Sequence, residues 1–186
     1  LRKGGFSSVS IDNRGGASAM VRHLLDRGHR DIAFVAGPIG TYDAEERLAA
    51  FRRTMKERGV PVPATSIWKG DFTEAGGARA IEQRLLRGQP LPDAIFAAND
   101  AMAIGIYRVL REAGRHIPGD VALVGFDDTD VARLIGMTTV QVPMRLLGRQ
   151  AARQALSLVE GSSAARHEVL STRLVVRESC RRVPTQ

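Results

Sequence analysis

Four residues stand where a small ligand would be gripped: Arg47, Phe72, Asn99 and Asp127. Asn99 and Asp127 each follow a short apolar run directly, Ala94 to Ala98 and Val121 to Phe126. Asparagine, aspartate and arginine present paired hydrogen-bond sites, and a phenylalanine face supplies an apolar platform. That set suits a neutral, polyhydroxylated molecule. The loop Gly37-Pro38-Ile39-Gly40-Thr41 and the stretch Gly70-Asp71 complete the ring, with Arg47 leaning over it from one turn into a helix. Asp100 and Asp128, one residue further on, read as caps of the helices that follow them. Phe72 reads equally well as plain core.

Other chemistry is sparse. The chain has no G-x-x-x-x-G-K-[ST] loop, no G-x-G-x-x-G turn and no G-x-S-x-G elbow. His23, His29, His116 and His167 are dispersed and lack metal-pair spacing. His29, just past Gly28, reads as satisfying the carbonyls at a helix end. Asp127-Asp128-Thr129-Asp130 is the one cluster that could take Mg²⁺, and an isolated acidic cluster at a strand end carries little weight. Cys180 has no histidine close in sequence and reads as non-catalytic. No catalytic residue, cofactor or metal site is expected.

The elements that must position these residues alternate along the chain. Apolar runs without alternation, Ile32–Ala36, Ala94–Ala98 and Val121–Phe126, belong to parallel strands covered on both faces. Ser66–Lys69 is a shorter strand, Phe6–Ile11 a strand-like opening and Leu170–Val176 a final strand before a basic tail. Helices are predicted over Gly16–Arg27, Asp43–Arg58, Thr73–Leu86, Met102–Ala113 and Arg145–Val159, most closed by a glycine. Ser162–Ala165 reads as a surface loop. The pattern is an α/β, doubly wound parallel sheet, in which ligands bind beyond the carboxyl ends of the strands.

At 186 residues, 44% of them hydrophobic, the chain has the size and composition of a globular domain with a real core, not of a disordered or fibrous chain. One cysteine excludes an intramolecular disulfide framework and fits a reducing compartment, so a cytoplasmic location is expected. Of the 27 basic residues only Lys3, Lys56 and Lys69 are lysine; the arginines are scattered, which favours solvated helix faces over a patch for an anionic partner. No apolar run is long enough to span a membrane. The chain does not begin with Met, and the reading is that it starts inside a larger protein.

Several phrases resemble the LacI/GalR family of bacterial transcriptional regulators. Leu24-Leu25-Asp26-Arg27-Gly28-His29-Arg30-Asp31-Ile32 is similar to the family's "hLl..GHr.Ia" segment, and Glu46-Arg47-Leu48-Ala49-Ala50-Phe51 to its arginine helix. Ala98-Asn99-Asp100-Ala101-Met102-Ala103-Ile104-Gly105 resembles "aND.mAlG", and Ile117–Asp128 resembles "vP.DvsvvGfDd". Thr138-Thr139-Val140 and Leu174–Ser179 match the closing segments. The resemblance runs in order along nearly the whole chain, and its GHR, ND and GFDD phrases are specific together.

The resemblance implies a type I periplasmic-binding-protein-like fold of two lobes with an effector between them. It places residues 11–142 in the second lobe, 1–10 in a remnant of the first lobe and crossover, 143–170 in a return to the first lobe, and 171–186 in the second lobe's final strand and tail. It implies that Arg47, Asn99 and Asp127 contact the effector, expected to be a sugar, and that Phe72 lines the pocket. It implies a homodimer in the full protein and DNA binding only through an N-terminal domain that has no counterpart here; no membrane partner is expected. Departures from the family pattern are Val142 where many members have glutamine, Ala50 for a frequent glycine, and Arg133-Leu134-Ile135-Gly136 in a region that often contributes dimer contacts. Alternative readings are a fragment of a periplasmic sugar-binding protein and, less favoured, an α/β enzyme using Asp127 and Asp128 with Mg²⁺.

Overall fold

A computed structural model describes residues 7–161 and 166–181. The strands are β1 (Ser8–Ile11), β2 (Ile32–Ala36), β3 (Ile67–Lys69), β4 (Ala94–Ala97), β5 (Ala122–Val124), β6 (Thr139–Gln141), β7 (His167–Leu170) and β8 (Arg173–Val175). The helices are α1 (Asn13–Asp26), α2 (Tyr42–Glu57), α3 (Glu74–Leu86), α4 (Asp100–Glu112), α5 (Asp130–Leu134) and α6 (Met144–Val159). Among the described residues no helix is long and apolar enough to cross a membrane.

The central sheet is parallel, in the order β3-β2-β4-β5. The chain moves one way from β2 to β3 and the other way from β3 to β4. Right-handed crossovers therefore put α2 and α3 on opposite faces. Helix α1 packs beside α2, and α3 beside α4. Both faces of the sheet are covered, which is why Ile32–Val35 and Ala94–Ala97 are buried along their whole length. Phe34 anchors one face, with its ring centroid 5.0 Å from Phe51 and 5.2 Å, edge-on, from Phe96. On the other face two glycines bring α3 and α4 into backbone contact. A Cβ on Gly77 would lie 2.1 Å from the Met102 carbonyl oxygen, and one on Gly105 1.9 Å from that of Glu74.

The C-terminal region differs from the single strand expected over Leu170–Val176. It divides into β7, which pairs parallel with β1, and β8, which pairs antiparallel with β6. Residues 171 and 172 carry the chain between the two pairings. Parallel bridges Val124–Thr138 and Asp127–Gln141 set β6 beside the end of β5. Helix α6 packs on β1 and has no buried residue. The sequence reading also missed α5 and β6, started α1 and α4 two to three residues late, and made β5 too long. The expected loop Ser162–Ala165 and Phe6 of the opening strand lie outside the described residues.

Candidate functional site

Residues just past the carboxyl ends of β3, β4 and β5 converge on Arg47. This side chain is 5% exposed although it sits only six residues into α2. Its Nε donates to Asn13 Oδ1 at 2.8 Å and its Nη1 to the Ala98 carbonyl at 2.6 Å. The guanidinium carbon lies 3.8 Å from the centroid of the Phe126 ring and 5.8 Å from that of Phe72. Burial lowers the Arg47 pKa, while Asp127, Asp43 and Asp100 oppose that shift. A guanidinium has five N–H groups. Nη2 has no protein partner among the described residues and remains free for a ligand.

Asp127 faces it. Backbone bonds from Asp127 N–H to the Val140 carbonyl (2.8 Å) and from Val142 N–H to the Asp127 carbonyl (3.3 Å) hold the residue at φ 131°. Side chains rarely adopt that conformation, and here it is imposed by the strand beside it. The carboxylate comes within 3.9 Å of Arg47 Nη1, an ion pair without a hydrogen bond. Burial pushes the Asp127 carboxyl up to about 7 against the pull of Arg47, with Asp100 adding repulsion. The pair is open: a hydroxyl between the two groups would accept from Arg47 and donate to Asp127.

Phe72 is the third element. It holds φ 68° and its ring packs against Gly37, where a Cβ would fall 2.4 Å from Phe72 Cζ. Asn99 supports that conformation: its Nδ2 donates to the Phe72 carbonyl at 3.0 Å. Its Oδ1 accepts the Met102 N–H at 3.0 Å and so caps α4. Asn99 thus stands at the rim with its amide already engaged on both sides, and what it offers a ligand is the second N–H of Nδ2.

The capping roles expected of the aspartates fall elsewhere. Asn99, not Asp100, is the cap of α4. Asp100 is fully buried and accepts from Thr129 N–H (2.8 Å) and Thr139 Oγ1 (2.6 Å), tying α4 to the segment before α5 and to β6. Asp128 caps nothing; Thr129 caps α5, while Asp128 pairs with Arg177 Nη2 at 2.5 Å and accepts from Gln141 Nε2 at 2.8 Å. Asp130 points to solvent and pairs with Arg133. The three carboxylates therefore diverge, and among the described residues no group of His, Cys, Asp and Glu is placed to hold a metal. Helix α1 is closed by the backbone N–H of His29 bonding to the Leu24 carbonyl, while the His29 ring Nε2 is buried without a partner among the described residues. Cys180 is buried between His23 (3.3 Å) and Thr138 (3.2 Å), and burial pushes its thiol pKa up.

One polar residue at this rim escaped the sequence reading. Asn13 joins the site from the start of α1 and donates to Asp43 Oδ1 at 2.7 Å. Asp12-Asn13 follow β1 just as Asn99 follows β4, so the strand-end rule applied to β1 points to them. Beside them a cavity of about 330 Å³ opens between Asn13, Arg14, Tyr42, Glu46 and Val169. Val142 is buried and directs no polar group to the rim. Gln141 does not replace the missing amide, because it is bonded to Asp128 and Arg173.

Residues 21–180 match the model of the periplasmic binding protein-like domain. The HTH-type transcriptional regulator CelR of Thermobifida fusca is 41% identical over 93% of this chain and 52% of its own length. The HTH-type transcriptional repressor PurR of Klebsiella pneumoniae is 35% identical over 95% of this chain and 53% of its own. The solved complex of the transcriptional regulator CelR with cellobiose superposes with a TM-score of 0.89 at 40% identity, covering 96% of this chain and 55% of the other. The chain spans about half the length of the curated relatives it matches.

Proposed function

The chain belongs to the periplasmic-binding-protein-like domain family, among the LacI/GalR-type transcriptional regulators, and on that premise we propose that it senses a sugar effector with Arg47, Asp127 and Phe72. The observation that carries this reading is the open Arg47–Asp127 pair, 3.9 Å apart, with the Phe72 ring, held in a left-handed backbone conformation, centred 5.8 Å from the Arg47 guanidinium. Such a pair is matched to vicinal hydroxyls, and the Phe72 face to the C–H face of a pyranose. Asn99 acts chiefly by fixing Phe72, with one N–H left for the ligand.

The lobe assignment belongs to the same proposal. Residues 11–142 form one lobe together with the strand near 172–176, and residues 8–10 of β1, with α6 and β7, belong to a second. The support is that α6 is amphipathic yet unburied: Met144 (63%), Leu156 (61%) and Val159 (86%) are exposed on it, and Val169 (55%) is exposed on β7. An apolar surface of this kind on a globular protein marks a docking face. In a longer cytoplasmic protein that face would carry the other lobe, the effector would close the two together, and the shift in population would alter the DNA affinity of a separate domain. A homodimer fits the same scheme.

The relatives are regulators, not enzymes, and the site offers binding groups without a poised nucleophile. Isothermal titration with cellobiose, glucose and hypoxanthine tests the ligand class. Heat of binding with either sugar is expected; binding of hypoxanthine alone would replace the sugar reading with a purine one.

A further inference from the structure

A second groove runs down the outer edge of the sheet, away from the Arg47–Asp127 site. It occupies about 470 Å³ between β3 and α3, and its lining includes Trp68, Lys69, Arg79, Arg84 and Arg87. Its upper end lies at Asp71, which pairs with Arg79 at 2.5 Å and immediately precedes Phe72. Among the described residues β3 has one neighbour, β2.

The register shows what the open edge offers. Val35 C=O accepts from Ala98 N–H (2.9 Å), so Val35 faces β4, and Phe34 and Ala36 face β3. Val35 is opposite Trp68. In a parallel ladder Trp68 is then the residue whose N–H and C=O are both taken by β2. The N–H and C=O of Lys69 and the C=O of Ile67 turn outward, while the Ile67 N–H is satisfied by Ala64.

The wall of the groove is built on a regular spacing. Arg79 and Gln83 of α3 and Arg87 at its C-cap are four residues apart, so Arg79 and Arg87 are separated by about 12 Å along the helix axis. An extended strand advances about 6.6–6.8 Å every second residue, so three alternate side chains span about 13 Å. Arg84 stacks on the Trp68 ring at 4.6 Å, and its Nε is buried without a partner among the described residues. That stacking covers one face of a ring only 7% exposed, so Trp68 gives no platform for a nucleobase. The cations are strung out rather than gathered, which disfavours one compact anion.

We propose that this groove binds an extended acidic peptide as an added strand beside β3, its alternate carboxylates meeting Arg79 and Arg87 across α3. The backbone bonds go to Lys69 and Ile67, the mode by which open edges accept peptides. Because the groove ends at Asp71–Arg79, an occupant that draws Arg79 away acts on the segment carrying Phe72.

The test uses the 186-residue chain, whose only tryptophan is Trp68, so its emission reports the groove directly. The probe is an octapeptide alternating glutamate and valine. Saturable change in Trp68 emission is expected, weakened at least about tenfold when glutamine replaces glutamate, when alternate peptide nitrogens are methylated, or in the double variant Arg79→Gln, Arg87→Gln. Both arginines are exposed, and an unchanged melting midpoint confirms that the variant is folded. No binding, equal binding of the glutamine or the methylated peptide, or an unaffected double variant would overturn the proposal. So would full competition by pyrophosphate at equal affinity, which would make this a site for small anions.

Discussion

Asp127 carries the acid-base behaviour of the site. Its carboxyl is pushed up to about 7 by burial, against an ordinary value of 3.8. Between those values the folded chain holds a proton that the unfolded chain has lost, so stability falls as pH rises from about 4 to about 7 and then levels. Asp127→Asn removes that dependence: melting midpoints measured from pH 5 to pH 8 should decline less in the variant than in the parent chain. A decline of equal slope would place the titration elsewhere. At this scale the sequence revealed types and positions better than roles. Asn99 and Asp100 are both good capping residues one position apart, and a helix start is ambiguous by about that much. Tertiary packing decides between them: Asp100 is buried and bonded to Thr129 and Thr139, and a Cβ on Gly125 would lie 2.2 Å from its Oδ1, while Asn99 bonds to the Met102 N–H.

The α3–α4 contact is the element-scale feature most exposed to a single substitution. Gly105→Ala drives a methyl group into the Glu74 carbonyl, and helices must separate to admit it; a loss of about 2 kcal/mol, or about 4–8 °C in midpoint, is expected. Gly148, in α6, meets nothing within 4 Å. Gly148→Ala should raise stability by up to about 1 kcal/mol through helix propensity alone. Thermal melts of both variants check the contrast, and a harmless Gly105→Ala would mean that α3 and α4 are less tightly joined than described. Elements buried on both faces were legible because continuous apolar runs such as Ile32–Ala36 have one reading, and glycines such as Gly28 (φ 90°) and Gly114 (φ 70°) closed their helices as expected. The C-terminal strands were not. His167–Leu170 is mostly exposed and owes its conformation to pairing with β1, some 159 residues away, and Arg173–Val175 owes its own to β6. Such strands are set by distant partners and not by local pattern.

For the whole molecule, the bare face of α6 is the main consequence of the proposed two-lobe arrangement. The chain by itself should self-associate through that face, and the double variant Leu156→Gln, Val159→Gln should lower the sedimenting mass without altering the midpoint of the melt. Association that survives the substitution would place the sticky surface elsewhere. A sugar held between Arg47 and Asp127 is what the proposed sensing requires above all. The most direct measurement is the thermal melt of this chain and of Asp127→Ala against monosaccharides, disaccharides and purines. Ligand at 100 times its Kd stabilises by about 2.7 kcal/mol, or about 5–10 °C for a chain of this size. Such a shift is expected with a sugar, together with its loss in Asp127→Ala; an equal shift in both proteins, or one produced only by a purine, would contradict the sugar site.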